Sequence, residues 1–202
     1  MILPACPFPP LSWYKLAYSS EDTLIEVHEN YIKQSLRNRI LLTNSGGVWD
    51  FTLPVHRRNA ESRLIKDIVF TKEMDSVFLI KNIRTAYSSS PFYEHFEESL
   101  IELFNEYGQP GKSLLEFNLK SIEFVEIELG LSPLNKSEQY ITHSEHDFRP
   151  KGKLISGFKF KDYPQVFEDR NGFISGRSIL DAIFHGGPEA KRWWTDVSLP
   201  LN

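Results

Sequence analysis

A dense polar stretch between two apolar segments is the feature that most limits the folds open to this chain. Residues 26–39 read EVHENYIKQSLRNR. They overlap the apolar run of residues 24–27 and precede a second apolar run, residues 40–42. Because both runs favour burial, the polar side chains between them are held close to the core. A solvated loop usually contains more Gly, Ser and Pro, so the pattern favours a site at the end of a strand.

The N-terminal part predicts a βαβ unit. Residues 1–5 and 23–27 are apolar and partly β-branched, which is typical of strands. Residues 11–18 predict a short helix between them, with Ser12 as its candidate N-cap. A strand, a helix and a second strand in this order favour parallel pairing of the two strands.

A β-hairpin is predicted next. Residues 39–43 and 48–55 form its arms, and the Asn-Ser-Gly-Gly sequence of residues 44–47 supplies the positive φ angles that a tight turn needs. Residues 65–70 predict one further strand.

Three helices are predicted in the middle of the chain. The first spans residues 71–87 and is capped by Thr71, the second is capped by Ser90, and the third begins at Ser113 and stops at Gly130. The inner stripe expected for the first helix consists of Met74, Val77, Phe78 and Ile83. The three helices are expected to pack as one layer against the sheet.

The C-terminal third mixes both element types. Residues 140–144 predict a strand, residues 158–167 an extended segment, and residues 189–194 a helix with a Trp pair. Ser178 is the predicted cap of a short helix that contains Asp181. The side chains expected on one face of the extended segment are those of Tyr163, Gln165 and Phe167.

The predicted fold is therefore of the mixed α and β class (α/β or α+β). We expect a single compact domain over residues 1–202, with a mixed sheet that contains the N-terminal βαβ unit and the hairpin, packed by a three-helix layer. A chain of 202 residues with 41% hydrophobic and 25% charged residues is long enough to bury a full core.

Charge and cysteine content narrow the functional classes. The net charge of −4 argues against a nucleic-acid partner, because such proteins usually carry a basic face. The single cysteine, Cys6, allows no internal disulfide, which fits a reducing cytoplasm. No run of 18 apolar residues is present, so we expect no transmembrane segment. The expected location is cytoplasmic.

Four sequence pieces, taken in order, resemble the WbqC-like family of bacterial proteins. They are PFPPLSW at residues 7–13, QSLRNR at 34–39 with LPV at 53–55, YSSSPFY at 87–93, and YPQVF at 163–167 with GF at 172–173 and SILD at 178–181. The resemblance implies a cytoplasmic role in making or modifying a sugar precursor for O-antigen or another surface polysaccharide. It implies no particular reaction. Many members carry His-Gln-Pro where this chain has Pro4, Ala5 and Cys6, so any role of that histidine is open here.

Two arginines suggest an anion site. On an extended segment Arg37 and Arg39 would point to one face and Asn38 to the other. Planar guanidinium groups bind phosphate or carboxylate oxygens in pairs, and a nucleotide-linked sugar carries a diphosphate. The alternative interpretation is a solvated strand edge whose arginines pair with Asp or Glu.

His28 is the candidate general base. That role requires a partner that fixes the imidazole tautomer, for which Glu29 and Asp181 are the candidates. His28 and Asp181 are therefore the predicted catalytic residues. The alternative is that His28 is a structural histidine.

The remaining candidates would bind the sugar. Ser88 and its two serine neighbours are predicted at a helix N-terminus, where free amides favour an anion. The substrate-binding set is Gln34, Arg37, Asn38, Arg39, Tyr87, Ser88, Tyr163 and Gln165. No metal site is predicted, because His143 and His146 would point to opposite sides of a strand. The sequence contains no phosphate-binding glycine loop and identifies no cofactor.

Three functional hypotheses follow. The first is an enzyme that acts on a nucleotide-linked sugar, by group or acyl transfer onto a hydroxyl or amine. The second is a non-catalytic scaffold in a polysaccharide assembly complex, with the Trp193–Trp194 pair and the proline-rich N-terminus as contact surfaces. The third is a sugar-nucleotide-binding sensor without turnover.

Overall fold

The computed structural model describes residues 1–59 and 61–195. The strands are β1 (Ile2–Pro4), β2 (Leu24–Glu26), β3 (Arg39–Asn44), β4 (Gly47–Thr52), β5 (Val55–Arg57), β6 (Ile68–Phe70) and β7 (Asn135–Lys136). The helices are α1 (Leu11–Ala17), α2 (Ser76–Tyr87), α3 (Tyr93–Tyr107), α4 (Leu114–Glu128), α5 (Glu168–Asn171), α6 (Ile179–Gly186) and α7 (Ala190–Thr195). The fold is of the mixed α and β class, as predicted.

The N-terminal βαβ unit is confirmed. Strands β1 and β2 pair in parallel with Ile2 opposite Leu24, and β7 adds a third parallel strand on the other side of β2. Helix α1 starts after Pro10, whose fixed φ suits the entry to a helix. The prediction that Ser12 caps α1 is wrong, because its hydroxyl lies inside the first turn and donates to the Leu154 carbonyl.

The predicted hairpin is confirmed as β3 and β4. Asn44 lies opposite Gly47, and Gly47 has a φ of 103°, which a side chain would disfavour. A second antiparallel pair, β5 and β6, follows. Within the described residues the strands therefore form three small sheets, where the sequence predicted one mixed sheet.

Helix α2 begins later than predicted. Its N-cap is Asp75, whose Oδ1 accepts a hydrogen bond from the Phe78 amide at 2.8 Å, so the prediction that Thr71 is the cap is wrong. The helix buries the face that contains Leu79, Ile83 and Ala86, so Val77 and Phe78 are 73% and 55% exposed. Only Met74, which precedes the helix, and Ile83 of the predicted stripe are buried.

The next two helices follow the predicted pattern with one exception. Helix α4 is capped by Ser113, whose Oγ accepts from the Glu116 amide at 3.3 Å, and it ends before Gly130 at a φ of 58°. The prediction that Ser90 caps α3 is wrong, because the N-cap is Phe92 and Ser90 is buried beside His185.

The strand predicted at residues 140–144 is absent. The Ile141 amide donates to Glu26 Oε2 at 2.9 Å, so a carboxylate takes the bond that a strand neighbour would have accepted. Residues 158–167 form no continuous strand, although Tyr163 and Gln165 do turn to the same partner, Asp181.

The proline-rich N-terminus and the Trp pair are internal. Phe8 has a φ of 40°, a conformation unusual for an aromatic residue, and its ring packs between α3 and α4. Trp194 stacks on Tyr14 with ring centroids 5.5 Å apart, and Trp193 stacks on Tyr163 at 4.5 Å. The prediction that these segments form contact surfaces is therefore wrong for Phe8 and Trp194, which are 1% and 5% exposed.

Candidate functional site

Arg37 is held inside the protein by an ion pair. It lies in a 3₁₀ turn (Leu36–Asn38), and its Nε donates to Glu29 Oε1 at 2.7 Å while Nη2 donates to Glu29 Oε2. Nη2 also donates to the Arg149 carbonyl at 3.1 Å. The prediction that Arg37 and Arg39 share one face of an extended segment is therefore wrong. A side chain that is 2% exposed and already paired with a carboxylate is not open to a phosphate in solution.

Arg39 remains available. It is the first residue of β3, lies opposite Thr52 and is half-buried. Its Nε is buried and makes no hydrogen bond with the described residues. Buried donors nearly always have a hydrogen-bond partner. A buried guanidinium nitrogen without one therefore suggests that an anion binds nearby.

A second buried carboxylate, that of Glu26, organises the loop after β7. Its Oε1 accepts from Ser137 Oγ and from the His28 amide, both at 2.8 Å, and its Oε2 accepts from Arg149 Nη1 at 3.3 Å. Arg149 also makes two bonds to Asp147, at 2.9 and 2.8 Å. The Arg149 bonds hold the pKa of Asp147 below its usual value.

His28 has a tautomer partner other than the predicted ones. Its Nε2 lies 3.1 Å from the Ser137 carbonyl oxygen. Because a carbonyl oxygen only accepts, Nε2 carries the proton and Nδ1 keeps a lone pair. The prediction that Glu29 or Asp181 orients His28 is wrong, since each of those carboxylates is occupied elsewhere.

Asp181 is the centre of a separate buried network. Its Oδ1 accepts from Tyr87 Oη at 2.8 Å and from Thr43 Oγ1 at 3.2 Å. Its Oδ2 accepts from Tyr163 Oη at 2.7 Å and Gln165 Nε2 at 2.8 Å. Burial, with the Asp181 charge adding to it, raises the pKa of both tyrosines well above the usual value. Both phenols therefore stay protonated as donors.

The predicted site residues thus divide into two sets. His28 and Arg37 belong to the network around Glu26 and Glu29, whereas Tyr87 belongs to the network around Asp181. Among the described residues no hydrogen bond or ion pair connects the two networks. The other members of the Asp181 set are Tyr163 and Gln165.

The remaining three candidates have other surroundings. Gln34 is exposed, has a φ of 55°, and its Oε1 accepts from Lys151 Nζ at 3.3 Å. Asn38 Nδ2 donates to the Leu53 carbonyl at 2.9 Å. Ser88 is exposed and is the C-cap of α2, so the prediction that it lies at a helix N-terminus is wrong.

A cavity of about 410 Å³ lies beside the polar stretch, and we call it the Tyr31 cavity. The Tyr31 amide donates to the Arg63 carbonyl at 2.8 Å, which fixes the chain before Lys33. The opposite wall is the β5–β6 pair, where Arg57 lies opposite Ile68. The lining residues are Tyr31, Lys33, Val55, His56, Arg57 and Ile68.

The Tyr31 cavity suits an anion. None of the residues that line it is acidic. Within the described part of the chain, the Tyr31 hydroxyl, Lys33 Nζ and the His56 ring make no hydrogen bond or ion pair. Burial raises the pKa of Tyr31, and the charges of Arg37 and Arg39 oppose that rise, which puts both guanidinium groups within electrostatic reach of the phenol. The charge of His56 is one of the causes that lower the pKa of the exposed Glu73.

A larger cavity of about 660 Å³ near residues 145–156 is less suited to an anion. Glu145 and Asp147 are part of its wall. Of its lysines, Lys153 donates to the Asp147 carbonyl at 2.9 Å and Lys151 donates to Gln34. Its cations are thus already engaged, and its acids would repel a phosphate.

Sequence reasoning missed the lining of the Tyr31 cavity. Tyr31 and Lys33 are two positions apart in the polar stretch, and His56 and Arg57 lie in a basic segment. Each half of the cavity lining was therefore visible in the sequence as a polar or basic pattern. Their meeting depends on the pairing of the chain before Lys33 with residues 63–65, which no local pattern predicts.

The described residues offer neither a metal-binding cluster nor a helix able to span a membrane. Residues 1–59 and 61–195 contain no group of three His, Cys, Asp or Glu side chains arranged to hold a metal ion. In the same part of the chain, every helix is too short or too polar to cross a membrane.

The comparison with protein families decides the family. Residues 6–145 match the WbqC-like protein family, which is more than half of the chain. The chain belongs to the WbqC-like family. The matched segment contains His28 and the whole Tyr31 cavity, whereas Asp181 and its partners Tyr163 and Gln165 lie beyond it. Comparisons with curated proteins and with solved structures gave no match.

Proposed function

We propose that this WbqC-like protein binds a nucleotide-linked sugar in the Tyr31 cavity and transfers a group to or from it in surface-polysaccharide precursor synthesis. The observation that carries the proposal is the set of unengaged donors around that cavity: Lys33, His56 and the Tyr31 hydroxyl. The polysaccharide context comes from what the family resemblance implies.

The diphosphate would be held by the cationic wall. Lys33 Nζ supplies a mobile point charge in the wall, and Arg39, which lies outside the lining, adds a second positive charge within electrostatic reach of Tyr31. A hydrogen bond to a charged group contributes about 1.5–3 kcal/mol, so the Lys33 contact together with the Arg39 charge accounts for an affinity gain of about 100-fold. The flat ring of Tyr31 offers a surface on which a nucleobase or sugar can stack.

His28 is the proposed base. Its Nδ1 lone pair is free of hydrogen bonds to the described residues, and its Nε2 proton is directed to the Ser137 carbonyl at 3.1 Å. A neutral imidazole oriented in this way can take a proton from an acceptor hydroxyl or amine. Asp181 is not proposed for this step, because it is fully buried and accepts four hydrogen bonds.

Isothermal titration calorimetry with UDP-, GDP- and dTDP-sugars, free nucleoside diphosphates and free sugars tests the binding step. We expect wild type to bind one nucleotide class, and the Lys33→Ala, Arg39→Ala double variant to bind it about 100-fold more weakly. The matched control is Lys81→Ala, Arg170→Ala, which removes two exposed positive charges elsewhere.

The outcomes separate the hypotheses. Equal loss in both double variants would mean that only net charge matters and would contradict a site at the Tyr31 cavity. Binding without turnover of any acceptor, and with no effect of His28→Gln, would favour the sensor. If no compound of the panel binds, the scaffold hypothesis remains.

A further inference from the structure

A third cavity shares no lining residue with the Tyr31 cavity. It has a volume of about 450 Å³, within the usual range of about 300–1,000 Å³ for small-molecule sites. It is bounded by α4, by β2 and by the turn that follows Gly130. Most of its wall is apolar, and the principal apolar residues are Ile25, Leu119, Ile122, Leu131 and Leu134. We call it the α4 cavity.

One buried acid lines the α4 cavity. Glu126 is 7% exposed. Its Oε1 accepts from the Leu134 amide at 3.0 Å. The Tyr18 hydroxyl is 3.5 Å from the same oxygen but only 3.1 Å from the Ser132 carbonyl, so its single proton is better directed to Ser132. Glu126 Oε2 makes no hydrogen bond with any described residue.

Glu126 also lacks a counter-ion. No Lys, Arg or His of the described residues lies within ion-pair distance of its carboxylate. Lys136, which also lines the cavity, acts on Glu126 only through its longer-range charge. The other acid in the wall, Glu123, is already paired with Lys120 at 2.8 Å. Acids as buried as Glu126 are usually paired, because desolvation of an isolated charge is costly.

We propose that the α4 cavity binds a small apolar ligand that carries one ammonium group, with Glu126 Oε2 as the partner of the ammonium. The apolar wall takes the body of the ligand, and the ligand supplies the counter-ion that the protein lacks. Glu126 Oε1 keeps its bond to the Leu134 amide, so the turn after α4 is positioned before the ligand arrives. This proposal does not depend on nucleotide binding at the Tyr31 cavity.

Titration calorimetry and amide NMR on the full chain test the proposal. The probes are isopentylammonium and phenethylammonium, with isopentanol and isocaproate as matched neutral and anionic analogues. We expect the ammonium probes to bind and to shift the amide resonances of Leu134 and Gly130. We expect the affinity to fall about tenfold or more in Glu126→Gln, which keeps an acceptor for the Leu134 amide.

The control variant is Glu128→Gln, which removes the same charge from the last turn of α4 without lining the cavity. It should leave ammonium affinity unchanged. Because burial raises the pKa of Glu126, ammonium binding should weaken on acidification at a pH above the usual range for a glutamate.

Each contrary result overturns the proposal. Isopentanol binding as tightly as isopentylammonium would show that no counter-ion is being supplied. Unchanged ammonium affinity in Glu126→Gln would place the ligand elsewhere. Absence of ammonium binding to wild type, or absence of amide shifts at Leu134 and Gly130, would also overturn the proposal. This result does not depend on any variant.

Discussion

At the scale of single residues, burial decides what an ionisable group can do. Arg37 and Arg39 are two positions apart and chemically identical, yet only Arg37 has a carboxylate partner among the described residues. The difference is Glu29, which accepts two bonds from the Nε and Nη2 edge of Arg37 in a setting where the two side chains are 2% and 4% exposed. Arg37 is therefore a structural residue, and Arg39 is the one without a counter-ion.

Removing one member of the Glu29–Arg37 pair should destabilise the protein strongly. Arg37→Ala leaves a buried carboxylate without its partner, and we expect a loss of about 3–5 kcal/mol in unfolding free energy, measured by urea denaturation. Arg39→Ala should cost less than about 1 kcal/mol, since it breaks no hydrogen bond of the described residues.

The double variant Glu29→Gln, Arg37→Gln provides the internal check. It removes both charges together, so it should be less destabilised than Arg37→Ala. An Arg37→Ala protein as stable as wild type would refute the structural role.

At the scale of elements, caps and turns set the boundaries more than apolar spacing does. Helix α2 starts at Ser76 because the Asp75 carboxylate accepts from the Phe78 amide at 2.8 Å. Thr71 makes a local bond to the Glu73 amide at 3.3 Å, which belongs to the turn before the helix. Val77 and Phe78, which the apolar pattern placed on the inner face, are exposed.

The two candidate caps of α2 can be compared directly. Asp75→Ala should lower the unfolding free energy by about 1 kcal/mol, because an amide at the helix N-terminus loses its acceptor. Thr71→Ala should cost about half of that or less, since its bond lies outside the helix. Thermal unfolding followed by circular dichroism distinguishes them. A larger cost for Thr71→Ala would place the start of the helix where the apolar pattern predicted it.

At the scale of the whole molecule, Asp181 joins parts that are far apart in the chain. Thr43 belongs to β3, Tyr87 ends α2, and Asp181 itself lies in the first turn of α6. Its second oxygen holds the segment that contains Tyr163 and Gln165. One carboxylate thus connects the hairpin, the helical layer and the C-terminal segment.

Substitution of Asp181 separates its structural role from the predicted catalytic one. In Asp181→Asn an amide group replaces one acceptor oxygen and faces donors, so at least one buried donor loses its partner. We expect a loss of about 2–4 kcal/mol in unfolding free energy. Glu189→Gln, at the exposed Arg192 pair, is the control and should cost about 1 kcal/mol or less. Unchanged stability of Asp181→Asn with lost turnover would restore the catalytic hypothesis.

Local patterns were sufficient for much of the fold. The Asn-Ser-Gly-Gly turn, the βαβ order and the Ser113 cap each depend on residues close together in the chain, and each was predicted correctly. Much less of the candidate site could be predicted from such local patterns. His28 was a candidate from the sequence, but its partner Ser137 is 109 residues away and could not be predicted. The Tyr31 cavity required a pairing between residues 31 and 63 that periodicity cannot reveal.

The sequence by itself determined the order of the N-terminal strands, the hairpin, the central helices and the family, because these follow from backbone preferences and from motifs read along the chain. Only the tertiary structure decided which charged groups are already paired or hydrogen-bonded. Arg37 meets Glu29, Asp181 meets four donors, and Glu126 is left with one free oxygen. The physical reason is that the energy of a charge depends on burial and on its partners, and both are settled only when distant segments pack together.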